Sequence, residues 1–76
     1  MTETEALIER LAVEHPEYRK LRDDHRQYDE ELKDLASRTF LSADQHWRIS
    51  ELKKLKLIAK DRMESIVRQA RAGAHA

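Results

Sequence analysis

Histidines, carboxylates and lysines are the side chains of this sequence with chemistry to offer. A zinc pair on a helix needs two imidazoles four residues apart, so that both nitrogens meet one ion. His15, His25, His46 and His75 share no such spacing, and there is no cysteine to supply a thiolate, so no metal site is expected. Asp23-Asp24 and Asp29-Glu30-Glu31 hold carboxylates enough for acid-base work. That work also needs a pocket that excludes water and separates pKa values, and consecutive acids read instead as a solvated face. With no Gly-rich phosphate loop and no nucleophile elbow, neither catalysis nor a cofactor is expected. Lys53, Lys54, Lys56, Lys60 and Arg62 could meet phosphates, which reward clustered positive charge through counterion release. No aromatic residue is interleaved with them, and acids elsewhere in the chain compete for them. Nucleic-acid association through this Lys-rich face therefore stands as the alternative to a protein-interaction role.

The elements that carry these side chains follow from composition. Of the 76 residues, 39% are charged and 5% aromatic, with one Gly and one Pro, a balance that favours helix and nearly excludes strands. One thin core is the most that a chain of this length can bury. Leu11, Glu14, Tyr18, Leu21, His25, Tyr28, Leu32 and Leu35 step by threes and fours, a heptad seam. Pro16 lacks an amide donor and restricts His15, so a kink or a fresh helix start is expected at 15–16. The cluster at 37–42 breaks the pattern, and Ser42 with Gln45 matches a capping box that opens another helix. That helix carries Ile49, Leu52, Leu55, Ala59, Met63, Ile66, Val67 and Ala70 on one face.

The expected fold is all-α: a single domain over 1–76, built as an antiparallel two-helix hairpin with coiled-coil packing. Helix one runs over about 4–37 with its break at 15–16, the turn over 38–42, helix two over about 43–71, and a frayed tail over 72–76. A fold about residue 40 brings together positions whose numbers sum to about 80. The seam then comprises Leu11, Tyr18, Leu21, His25, Tyr28, Leu32 and Leu35 facing Leu52, Leu55, Ala59, Met63 and Ile66. His25 reads either as a polar group that fixes register or as a half-exposed seam histidine. Net charge is zero, but residues 1–38 hold 11 acidic and 7 basic side chains while 39–76 hold 4 and 8. Each half is thus the natural electrostatic partner of the other, with Glu17, Asp24 and Glu31 expected to pair with Lys53, Lys56 and Lys60.

Leu52-Lys53-Lys54-Leu55-Lys56-Leu57 followed by Lys60-Asp61-Arg62-Met63 resembles the signature of the YdcH-like family of small bacterial domains of unknown function. His15-Pro16-Glu17-Tyr18 resembles the family's entry to its first helix, and His25-Arg26-Gln27-Tyr28-Asp29 with Leu32 resembles its His-x-x-apolar-Asp-x-x-apolar stretch. The resemblance runs from about Leu7 to Val67. It implies a helical hairpin of the bacterial cytosol with coiled-coil character and no established activity.

At about 100° per residue, Trp47, Ile58 and, if helical, Phe40 project from the side of helix two opposite the seam, with Leu57 between that side and the flank. Phe40 reads equally as a plug for the open end of the hairpin. These four residues are the candidate contact for a homo-oligomer or for a helix of another protein. No apolar run approaches a membrane span, and residues 1–5 lack the basic and apolar regions of a signal peptide. A cytoplasmic interaction module is the function expected.

Overall fold

The structure, a computed structural model, describes residues 2–74. Those residues form three α-helices and no strand: α1 (Glu3–Glu14), α2 (Pro16–Ala36) and α3 (Ala43–Ala74). The two-helix expectation is corrected to three because His15 ends one helix and begins the next. Its backbone is extended and its amide donates to the Leu11 carbonyl at 2.8 Å, closing α1. Its ring Nδ1 accepts the Tyr18 amide at 3.1 Å, capping α2, and Pro16 takes the first helical position, where a missing N–H costs nothing. α1 has its own start, a capping box between Thr2 and Glu5 that the reading of the sequence did not identify.

α2 closes where the Ser37 hydroxyl donates to the Asp34 carbonyl at 2.7 Å. The link that follows leads to Ser42, whose amide donates to the Gln45 side chain at 2.8 Å while its hydroxyl accepts the Gln45 amide at 3.2 Å. α3 continues through Ala72 and Gly73 to Ala74, so those residues are helical and not a frayed tail; His75 and Ala76 lie outside the described residues.

α2 and α3 lie antiparallel along the length of a molecule measuring 52 × 20 × 19 Å. Two ion pairs between them, Glu17–Arg62 and Glu31–Arg48, join residues whose numbers sum to 79. α1 folds over the far end, where Leu11, Tyr18 and Ile66 form a buried cluster with Leu7, Ile8, Leu21, Met63 and Val67 packed around it. Along α3 the buried residues Leu52, Ala59 and Ile66 recur every seven positions. Among the described residues Leu52 is the one large side chain fully enclosed, so the core is one residue thick over most of its length. Leu52→Ala removes the best-packed side chain and is expected to cost about 2–5 kcal/mol, read from urea unfolding of the two proteins. A loss well under 1 kcal/mol would mean that the middle of the seam carries little of the stability.

Candidate functional site

Two surfaces of the helical pair have the chemistry to meet a partner: its charged edges and the outer face of α3. The seam itself is occupied. Leu11, Tyr18, Leu35, Leu52, Ala59 and Ile66 are buried, and Leu21, His25, Tyr28, Leu32, Leu55 and Met63 are half-buried, whereas Glu14 is exposed. An open groove lies between α1 and α3, lined by Thr4, Ile8, Tyr18, Met63 and Val67 together with the charged residues Lys60, Glu64 and Arg68. The histidines are dispersed: His15 caps α2, His25 sits half-buried in the seam, His46 is exposed in the first turn of α3, and His75 is outside the described residues. Among the described residues, no three His, Asp or Glu side chains are gathered as metal ligands would be.

The charged edges correct the expected pairing. Glu17, Asp24 and Glu31 line one edge of α2, but Lys53 and Lys60 lie on the opposite edge of α3 and are exposed, with no ion pair to these acids. Antiparallel packing instead sets that acidic edge against positions 62, 55 and 48, which are also spaced by seven. Arg62 donates to Glu17 at 2.7 and 3.2 Å, and Arg48 to Glu31 at 2.6 and 3.2 Å, both through Nε and Nη2 in the forked geometry that suits a carboxylate. The middle position is Leu55, which has no charge to offer, and Asp24 pairs within its own helix with Lys20 at 3.3 Å. On the other edge Asp29 accepts Lys56 at 2.6 Å and Lys33 at 3.0 Å. Arg62, expected with the lysines as a phosphate contact, pairs instead with Glu17, and Arg48 pairs with Glu31 without having been expected to; the spacing by seven that singles out the acids singles out positions 48, 55 and 62 equally.

These pairs leave their mark on ionisation. The Arg62 guanidinium hydrogen-bonds Glu17 and holds its carboxyl below the ordinary value, and Arg48 does the same to Glu31. Asp29 moves furthest, from 3.8 to about 2, chiefly through the hydrogen bond from Lys56 and next through that from Lys33.

The outer face of α3 is apolar at isolated points. Trp47 is 67% exposed and Ile58 64%, eleven positions apart and so nearly in line on a helix. Leu57 is 58% exposed, about a quarter-turn round from Ile58. Phe40 is 89% exposed in the link before α3: it belongs to no helix and does not plug the end of the core. Val13 on α1 is also exposed, a position that periodicity alone did not single out. The accessible surface of 5864 Å² exceeds by about 1,000 Å² the roughly 4,900 Å² expected of a compact protein of 9.0 kDa.

The shift at Asp29 has a pH consequence with a definite sign. A carboxyl whose folded pKa is depressed contributes stability above its unfolded value and loses it as pH falls through the folded one. Asp29→Asn is therefore expected to lower the melting temperature at neutral pH, with the difference from the parent closing between pH 3.8 and about 2. Thermal melts of both proteins across that range check this; a difference that stays constant down to the lower limit contradicts it.

A protein-family model described as "Protein of unknown function (DUF465)" matches residues 19–67, more than half of the chain. The matched stretch covers α2 from Arg19, the link, and α3 as far as Val67; α1 and the His15-Pro16-Glu17-Tyr18 entry fall outside it. No curated protein and no solved structure matches the chain. With most of α2 and α3 falling inside the matched stretch, the chain belongs to the DUF465 family of small uncharacterised proteins, to which the YdcH-like proteins also belong.

Proposed function

We propose that the chain is a non-enzymatic interaction module of the cytoplasm. In this reading α2 and α3 form a hairpin of coiled-coil type, α1 closes one end of it, and the outer face of α3 pairs with a second copy of the chain. The observation that carries the reading is the exposure of Trp47 and Ile58, two large apolar side chains in line on the face of α3 that turns away from the seam. Transfer of such side chains out of water supplies the driving force for association, at about 25 cal/mol per Å² of apolar surface.

Area supports the same reading. The excess surface of about 1,000 Å² is of the size that one partner contributes to a standard interface, roughly 800 Å². Small domains with thin cores commonly gain stability by oligomerising, and a symmetric patch that meets itself is the simplest way to do so. Lys54 and Asp61, which lie between and beside the two apolar residues along this face, supply opposite charges that an antiparallel second copy satisfies.

Sedimentation equilibrium over a dilution series tests the proposal. The expected result is a dimer mass at tens of micromolar that falls to the monomer mass when Trp47→Ser is combined with Ile58→Lys, with helical circular dichroism retained. A parent protein that stays monomeric across the series overturns self-association. So does an oligomer that the double variant leaves intact. In the first case a helix of another protein becomes the occupant to seek for this face.

A further inference from the structure

We propose that Arg22, Arg26 and Lys33 of α2, together with Lys53, Lys56 and Lys60 of α3, form one continuous edge that binds the phosphate backbone of duplex nucleic acid without reading base sequence.

Zero net charge conceals how charge is arranged across the helical pair. At about 100° per residue, Arg22, Arg26 and Lys33 fall within a narrow sector of α2, on the side away from Glu17, Asp24 and Glu31. Lys53, Lys56 and Lys60 occupy a similar sector of α3, on the side away from Arg48 and Arg62. The bond from Lys56 to Asp29 shows that these two sectors adjoin. Antiparallel pairing thus produces one edge where acids and arginines cancel, and another where six cations outnumber the carboxylates that meet them, Asp29 between the helices and Asp23 beside Arg22. Asp29 is engaged by Lys33 and Lys56, and Arg22 meets only its sequence neighbour Asp23, at 3.4 Å. Arg26, Lys53 and Lys60 are exposed and enter no ion pair among the described residues.

The form of this edge selects its partner. From Arg22 to Lys33 the helix rises roughly 16 Å, and from Lys53 to Lys60 roughly 10 Å, so the charges make two parallel rows instead of a point site. Duplex nucleic acid presents a charge about every 1.7 Å of its axis and rewards such rows by releasing counterions. A single strand would need aromatic platforms for its bases, and this edge has none. A bilayer surface would need an apolar stripe beside the charges, and only Leu57 is exposed near them. Contacts made by flexible lysines and arginines to backbone oxygens fix position and carry no sequence information. Trp47 and Ile58 lie on a different side of α3, so a dimer formed through them leaves this edge open.

Fluorescence anisotropy with two labelled duplexes of unrelated sequence, titrated between about 50 and 200 mM salt, tests the inference on the full chain. Both duplexes are expected to bind with equal affinity and to weaken steeply with salt. Lys53→Gln with Lys60→Gln should reduce the slope of log affinity against log salt by about 1.8, and Arg26→Gln on the other helix by about 0.9. Lys20→Gln, on the other side of α2 where Lys20 pairs with Asp24, should leave the slope unchanged. Circular dichroism verifies that each variant remains helical. Absence of binding at the lowest salt overturns the proposal, as does an equal loss on replacing Lys20, or preferential binding to phosphatidylserine vesicles over either duplex.

Discussion

The arrangement of this molecule depends on how little apolar surface its helices can hide. One stripe on α2 meets one stripe on α3, and among the described residues the only large side chain fully enclosed is Leu52. A third helix would complete a bundle, but α1 is too short to run beside both long helices. It closes one end instead, where Leu11, Tyr18 and Ile66 make the thickest part of the core. The other end and the outer face of α3 stay open. That shortage is the ground for the proposal that the chain packs against a second copy, since ordering some seventy residues carries a large entropic cost that a larger core would offset more fully.

With so narrow a seam, its edges decide which helices pair and in what direction. Arg48 and Arg62 each grip a carboxylate of α2 with two nitrogens, at positions that match only if the helices run antiparallel in this register. Exposed pairs of this kind add little to stability, but a slipped register would leave Glu17 and Glu31 facing the wrong residues. The same geometry gathers six cations on the opposite edge, where Asp29 between the helices and Asp23 beside Arg22 moderate them. Structure and surface charge are therefore two consequences of one register.

Much of the fold was legible because helices announce themselves locally. Pro16 after His15 marked a boundary, Ser42 with Gln45 marked a start, and the steps of three and four marked the face that turns inward. The count of helices was less legible, because whether a proline bends a helix or divides it depends on the backbone of the residue before it. The extended conformation of His15 decides for division. Edge partners were harder still: Lys60 sits two residues from Arg62 in sequence and Lys53 nine, yet both lie on the other side of the helix. Their place relative to Glu17, Asp24 and Glu31 depends on which edges antiparallel packing sets together. Phe40 was ambiguous for a similar reason, since a link residue has no periodicity to place it, and it proves to be exposed.

Trp47 is the only tryptophan in the chain, so its fluorescence reports on the outer face of α3 without labelling. Acrylamide quenching across a dilution series is the most direct measurement of whether that face is covered. Pairing through α3 predicts strong quenching in dilute protein, where Trp47 is wet, and progressive protection with a shift of emission to shorter wavelength as concentration rises. Quenching and emission that remain those of an exposed indole at every concentration would contradict it.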